Sequence, residues 1–535
     1  MGLLNFAFDV KASDLLGRVG SLTVGRKQVE TPCLFPVIHP VRQDISPGEL
    51  KRMGFSGLMT NSLILYARRR DEAVRKGIHG LLDFEGVFMT DSGGYQVLEY
   101  GDVDVGYGEI ARFQSEIGSE LAVTLDRPTG FSTSRAYARE TMRYSLKNAL
   151  ATIDEYGTSE TVWLGPIQGG LFPDLLQGSA KGLLGAGFRF LALGSPTQVM
   201  ENYRFADLVR MILASRRVVP YPVPLHLFGA GHPLTMAFSV ALGCDTFDSA
   251  SYVLFARSGR YMTERGIQRL DQMSYLPCSC PSCNSTGLRE LREMESAERT
   301  RLLSLHNLYQ LKTEVANCKQ AIVEGRLWDL VEERAASHPR VMDAFRVMAE
   351  NAELLEDGTP ALKDRGLLLR GDLDELRPEL RTSRARLYAA ARRGKRKALV
   401  LLGDEPLTLT YSGQKRPSAK FGGHDLYRVH PCLGAYPAEL DFVYPFTQTI
   451  TVSTTSAVSE TRKNARKALK RLGYRSVSFS AAALHQPSEE RRRGHRPPRR
   501  VMAYSATTPA TRPPRSRPRQ KVRGPSPPSS SARSR

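Results

Sequence analysis

No run in this 535-residue sequence approaches the roughly 18 apolar residues that a membrane-crossing helix needs, so no span is expected. The first ten residues carry Asp9 and no basic stretch. A secretory leader is therefore not expected, and the cytoplasm is the expected compartment. Cysteines number only seven, too few to staple a chain of this length with disulfides. Two familiar glycine signatures are missing as well. There is no phosphate-binding loop ending in Gly-Lys-Ser/Thr, and no dinucleotide fingerprint follows the first expected strand, which argues against phosphoryl and hydride transfer. Acidic residues are absent from 491–535, where 14 Lys or Arg stand. That tail supplies most of the formal net charge of +20 and leaves +6 for residues 1–490. The body is mildly basic, which suits an acidic partner such as RNA without requiring one.

Hydrophobic residues at 41% and charged residues at 24% match a water-soluble globular chain of two to four domains. Across residues 1–260, short β-rich apolar runs alternate with segments of helical period. The expected strands are Leu34–Ile38, Gly57–Asn61, Val87–Asp91, Leu121–Asp126, Val162–Gln168, Phe190–Gly194, Leu225–Gly229 and Asp245–Ser249. Expected helices include Glu109–Ile117, Arg135–Glu155, Asp174–Leu184 and Tyr203–Leu213. Ser46 and Glu49 have the spacing of a capping box. Eight strands in βα alternation predict an α/β chain with a closed (β/α)8 TIM barrel, with an open doubly wound sheet as the other arrangement.

The barrel domain is expected to fill 1–350. It includes a Cys-rich insertion and its flanking helix at 271–310. Residues 351–480 read as a small α+β module, basic at 380–400 and ending in a basic amphipathic helix near Glu460–Leu472. An RNA-binding accessory role is expected for it. The Arg/Pro/Ser-rich tail 486–535 cannot bury a core and is expected to be disordered. A nucleic-acid-binding arm and a shifted reading frame remain alternatives.

In such a barrel, chemistry belongs at the C-terminal ends of the strands. The residues there form a coherent set: Asp91-Ser92-Gly-Gly-Tyr95, Asp126, Gln168-Gly-Gly, Gly194, Gly229-Ala-Gly-His232 and Asp248. A lone Asp after a strand commonly caps the next helix. Three carboxylates at one mouth repel each other, however, and that cost is usually retained for function. One carboxylate can attack a sugar C1′ while another protonates the leaving group. An Asp and a Gln can read the edge of a planar base, and Tyr95 can stack on its face. The set points to glycosyl transfer on a nucleoside or nucleic acid.

Cys278, Cys280 and Cys283 have thiolate spacings that bind zinc in a reducing compartment. A closed structural site needs a fourth ligand. His306 is the first candidate and His338 the competitor.

Taken in order, MTDSGGYQVLEYGDV, GPIQGG, HLFGAGHP, FDSASY and YLPCSCPSC resemble the tRNA-guanine transglycosylases, and the archaeal, archaeosine type most. The likeness runs from about Phe6 to Met348. HPCLGAYPAELDFVYPFTQ resembles a C-terminal module of the archaeal enzymes. The resemblance implies a barrel bearing one structural zinc ion, held by Cys278, Cys280, Cys283 and His306. It implies exchange of guanine at position 15, in the tRNA D-arm, for the free base 7-cyano-7-deazaguanine (preQ0). It implies Asp248 as nucleophile and Asp91 as general acid/base, although the two roles have been assigned both ways. Ser92, Tyr95, Asp126, Gln168 and Gly194 fall where relatives hold the base, and a homodimer is implied. A queuosine-type enzyme using preQ1 and a non-catalytic tRNA-binding subunit are the alternatives. Two departures stand out. Gly94-Tyr95 replaces the Ser-Phe common at this loop. Nothing after Ser480 reads as the PUA domain with which archaeal members usually end, so a separate PUA-domain chain is one expected partner.

Overall fold

The computed structural model describes residues 6–480 except 95–104, 131–133, 391–396, 402–419, 422–423, 431, 439, 441–442, 447–448 and 452–454. The chain opens with an antiparallel sheet of β1 (Phe6–Asp14), β2 (Gly17–Val24) and β3 (Lys27–Thr31). Eight parallel strands follow: β4 (Cys33–Pro36), β5 (Gly57–Asn61), β6 (Val87–Asp91), β7 (Leu121–Val123), β8 (Val162–Ile167), β9 (Leu191–Leu193), β10 (Leu225–Leu227) and β11 (Thr246–Ser249). Their order is β4-β11-β10-β9-β8-β7-β6-β5. The last gap, between β4 and β5, is closed by the parallel bridge Val37–Met59 and by Ile38 N–H donating to the Met59 carbonyl at 2.8 Å. The sheet is thus the barrel its βα alternation predicts.

Two apolar layers hold it. Inside, Phe35, Met59, Met89, Val123, Leu164, Phe190 and Ala192 pack with Phe6, Leu22 and Val29 of the N-terminal sheet. That sheet plugs the end of the barrel where the strands begin. Gly57 makes room for the filling, since a Cβ there would lie 2.2 Å from the Phe35 ring. Outside, the helices bury a larger layer running from Leu50 through Phe113, Leu183, Phe238 and Leu311 to Phe345. Ser46 caps the first helix by accepting from Glu49 N–H at 3.2 Å.

Several expected strands run past the observed ladder. β7 stops at Val123 and β9 at Leu193, so Asp126 and Gly194 stand in the loops just beyond. The helix expected from Tyr203 begins at Phe205, because Tyr203 adopts φ 53°. The N-terminal sheet has no counterpart among the strands expected from sequence.

After the barrel, the 28-residue helix Ser296–Val323 lies along its side, and Leu327–Ala335 and Pro339–Glu350 follow. The remaining described residues form an α+β module. Its sheet joins Lys420–Phe421, His424–His430, Lys397–Leu401 and Ser476–Ser480, with Gly434–Pro437 on His424–His430. The helix Thr455–Arg471 buries Ala465, and its Leu469 packs with Val400 and Tyr427. A buried ionic network ties the start of this region to the barrel. Lys363 Nζ bonds Asp14 at 2.7 Å and Glu379 at 2.5 Å, and Arg377 bonds Asp329 at 2.9 Å.

At the plugged end, Asp245 accepts from Arg18 Nε at 2.9 Å, from Arg18 Nη2, from Arg216 at 3.3 Å and from Leu225 N–H at 2.8 Å. Both arginines are buried around this one carboxylate, and burial with the Arg18 charge pushes the Arg216 guanidinium down to about 10. Removing the carboxylate leaves two buried cations uncompensated. Asp245→Ala is expected to cost about 3–5 kcal/mol in urea unfolding. A cost below about 1 kcal/mol, the range of exposed pairs, would show that the cluster does not hold the plug.

Candidate active site

At the open end, one cavity of about 680 Å³ is lined by Asp91, Asp126 and Asp248, together with Asn61, Ser195, Phe228, Gly229, His232, Arg260 and Arg269. Strand register explains how each carboxylate arrives. Asn61 and Asp91 are register partners at the ends of β5 and β6, and Asn61 Nδ2 donates to Asp91 Oδ2 at 2.9 Å. Ser62 Oγ donates to the Asp91 carbonyl at 2.7 Å and so fixes the backbone behind it.

His226 and Thr246 are register partners on β10 and β11, and Asp248 lies two residues past Thr246 on the same strand face. The buried His226 meets Thr246 Oγ1 through Nδ1 at 2.8 Å and Asp248 Oδ1 through Nε2 at 3.1 Å. Gly229 N–H donates to the same Oδ1 at 2.9 Å. One oxygen of Asp248 is therefore clamped by two partners, which fixes the direction in which the other points.

Asp126 is almost wholly buried and accepts from Gln168 Nε2 at 2.6 Å. Gly94 packs on it so closely that a Cβ there would lie 2.2 Å from Asp126 Oδ1. Of the residues expected to hold a base, Asp126 reaches the cavity wall and Gln168 stands directly behind it. Ser92 is buried, with its Oγ donating to the Thr124 carbonyl at 3.3 Å. Gly194 backs Gln168. Tyr95 lies outside the described residues.

Burial at this cavity changes the acidity of Asp91 and Asp126. Burial, then the Asp126 and Asp248 charges, push the Asp91 carboxyl up to about 7 against the Asn61 hydrogen bond. Burial raises Asp126 to about 6 although Gln168 pulls the other way. Asp91 is thus poised to exchange a proton near neutrality.

The cysteine segment forms a second cluster. The Sγ atoms of Cys278, Cys280 and Cys283 and the His306 ring nitrogen all lie within 4.8 Å of one another. His306 Nδ1 stands 3.6 Å from Cys280 Sγ and 3.3 Å from Cys283 Sγ. Its Nε2 faces the Met262 carbonyl at 2.8 Å. That bond places the proton on Nε2 and leaves the Nδ1 lone pair facing the thiols, as a ligating histidine requires. Tyr261 stacks on the imidazole at 3.6 Å, and Gln310 Nε2 donates to Cys278 Sγ at 3.2 Å. Four such donors around a tetrahedral ion would be spaced about 3.5–4 Å apart, so the group could hold a metal. His338 is elsewhere: its Nδ1 accepts from Arg340 N–H and caps the helix Pro339–Glu350.

Comparison with known proteins places the chain in a family. The sequence model of the TGT family, described as queuine tRNA-ribosyltransferase, matches residues 13–340. The chain belongs to this family. It is 41% identical to the tRNA-guanine(15) transglycosylase of Aeropyrum pernix over 450 residues, 82% of this chain and 87% of that protein. It is 36% identical to the Sulfolobus acidocaldarius protein of the same name over 483 residues, 88% of this chain and 94% of the relative. The match to the Thermococcus kodakarensis protein of that name is 44% over 363 residues, 68% of this chain, and spans 62% of the relative's length.

Within this transglycosylase-family site, the sequence reading missed Asn61, His226, Thr246 and Ser195. Asn61, His226 and Thr246 are placed by which strand lies next to which, and Ser195 by its loop conformation; His226 opens HLFGAGHP, but nothing local ties it to Asp248. The strand pairings of a closed barrel could have indicated the first three.

The raised acidity constant of Asp91 has a sign that can be tested in stability. The folded state holds this proton more tightly than the unfolded state, where an aspartate has its ordinary value of 3.8. Stability contributed by Asp91 therefore falls as pH rises from about 4 to about 7, and the penalty is complete above that. Asp91→Asn removes it. The variant is expected to match the parent in urea unfolding at pH 4 and to exceed it by roughly 1–3 kcal/mol at pH 8, the lower end allowing for the solvent side of the cavity. Equal stability at pH 8 would contradict the crowding.

Proposed function

We propose that the chain is a tRNA-guanine transglycosylase that removes guanine at position 15 in the tRNA D-arm and installs preQ0, a step toward archaeosine. The observation that carries this reading is the convergence of Asp91, Asp126 and Asp248 on one cavity at the strand ends of a family barrel. The named relatives support the position in tRNA. The choice of preQ0 rests on the resemblance to the archaeal type.

The geometry supports the following course of reaction. Asp248, clamped through Oδ1, presents Oδ2 to C1′ of the target nucleotide. The C1′–N9 bond breaks as the Asp248–C1′ ester forms, and the leaving guanine takes a proton from Asp91. Protonated Asp91 exists near neutrality because burial and its neighbours hold its acidity constant high. The incoming base then gives its ring N–H proton to Asp91 and attacks C1′ from the opposite side, which releases Asp248. Two inversions retain the β-configuration, and one glycosidic bond replaces another without an energy source. Asp126 accepts from the N–H edge of either base. The nucleotide must leave its stack to enter, at a cost of a few kcal/mol.

Phosphate contacts offset that cost. The helix Thr455–Arg471 buries its apolar stripe and exposes Arg462, Lys463, Arg466, Lys467, Lys470 and Arg471. We assign this face of the accessory module to RNA, with an affinity that falls steeply as salt rises. Zinc is the ion that suits three thiolates and one imidazole in a closed tetrahedral set. It would pin the β12 strand (Arg260–Thr263), through Met262, to the long helix, and with four protein ligands it has no open position for chemistry. No helix among the described residues is long and apolar enough to cross a membrane.

Release of labelled guanine from position 15 in the presence of preQ0 tests the reading. Wild type is expected to exchange. Asp248→Ala is expected to lose at least about 10³-fold in rate, as for removal of a nucleophile. Exchange undiminished in that variant would end the assignment. Metal analysis is expected to give one zinc per chain. Its removal by a chelator is expected to unfold the 278–306 segment while the barrel persists.

A further inference from the structure

Gln168 stands behind Asp126 and is a symmetric-looking amide, so something must decide which end faces the carboxylate. Three donors do so. Thr129 N–H reaches Gln168 Oε1 at 3.1 Å, Thr129 Oγ1 at 3.2 Å and Ser195 Oγ at 2.8 Å. Ser195 Oγ in turn accepts from Gly130 N–H at 3.1 Å, which directs its own proton onto the amide oxygen. With Oε1 saturated, the NH2 group must point at Asp126 Oδ2. The surroundings accommodate this orientation. A Cβ on Gly194 would lie 2.2 Å from Gln168 Nε2, so glycine leaves the space that the amide nitrogen fills. Ser195 itself sits at φ 64°, a left-handed conformation that a non-glycine residue rarely adopts. A strained backbone holding a hydroxyl against a buried amide is a feature retained for a site.

We infer that Ser195, seconded by Thr129, is a positioning residue that sets the hydrogen-bond polarity of the base pocket. It does so by orienting Gln168 so that Asp126 is presented as an acceptor for a base bearing adjacent N–H donors. Such a base has the guanine-type edge of ring N–H beside an exocyclic amine. A flipped amide would set its oxygen against the carboxylate and demand a protonated Asp126, which would turn the pocket into a donor. The inference rests on the transglycosylase reading above and adds to it what selects the base. The charged and titrating groups around Asp126 are Asp91 and Asp248 across the cavity and Arg127 beside it, which is stacked on Tyr144 and paired with Glu140. The Gln168 donor is what lowers the acidity constant of Asp126 against burial.

The test is steady-state exchange of free guanine into tRNA, with hypoxanthine, which lacks the exocyclic amine, as competitor. Ser195→Ala and Ser195→Gly are compared with wild type and with the double variant carrying Thr129→Val. Glycine is unstrained at this φ, so Ser195→Gly separates the hydroxyl from the backbone. Both single variants are expected to raise KM for guanine about tenfold with kcat changed less than about threefold, the effect of one lost hydrogen bond to a buried partner. The double variant is expected to lose more. The preference for guanine over hypoxanthine is expected to shrink. The acid limb of kcat/KM is expected to move to higher pH, because Asp126 loses its donor and holds its proton longer. A merely structural role would lower the melting temperature without moving that limb. Unchanged guanine KM, preference and acid limb in all three variants would overturn the inference. So would a Ser195→Gly enzyme identical to wild type beside an impaired Ser195→Ala, since that outcome assigns the effect to the backbone. Absence of guanine exchange by the wild-type enzyme would instead overturn the transglycosylase reading.

Discussion

Three carboxyl groups gathered in one cavity are the constraint around which the open end of this barrel is organised. Left alone, Asp91, Asp126 and Asp248 would repel one another. Each is instead met by its own partner: Asn61 for Asp91, Gln168 for Asp126, and His226 with Gly229 N–H for Asp248. The compensation is partial. Asp91 and Asp126 still sit well above ordinary carboxylates. Burial, reinforced at Asp91 by the neighbouring charges, leaves one acid able to carry a proton at neutral pH while another is fixed for attack.

The rest of the molecule keeps those partners in register. In a closed parallel barrel, neighbouring strands fix which side chains stand side by side, and the pairs Asn61–Asp91 and His226–Thr246 are direct products of that register. Closure between β4 and β5 and the plug held by Arg18, Asp245 and Arg216 resist shear of the sheet. The cysteine cluster acts at one remove. His306 faces the Met262 carbonyl and Asn307 bonds Met262 N–H, so the long helix steadies the strand that begins with Arg260 at the cavity edge.

Much of this was legible in the sequence because it is written locally. Alternation of short apolar runs with helical segments gives the barrel. The acids announce themselves at strand ends, and Cys278-x-Cys280-x2-Cys283 is a metal pattern on its own. His306 was already preferred to His338 through the family resemblance, and space shows why: one faces thiols and the other caps a helix. What was not legible depends on distant contacts. Ser195 looks like an ordinary loop residue until its φ and its reach to Gln168 are seen. Asn61 and His226 read as strand-end and core residues. The N-terminal sheet escaped because Phe6–Thr31 carries many small and polar residues, and its apolar side chains make sense only against the barrel floor.

Central to the account is that Asp248 attacks C1′ while Asp91 handles the proton. Denaturing the enzyme during turnover on tRNA, digesting it and sequencing the RNA-linked peptide by mass spectrometry tests this most directly. The account predicts an RNA fragment esterified to Asp248, in the peptide that follows Cys244. An adduct on Asp91, or exchange through no covalent species at all, would contradict it.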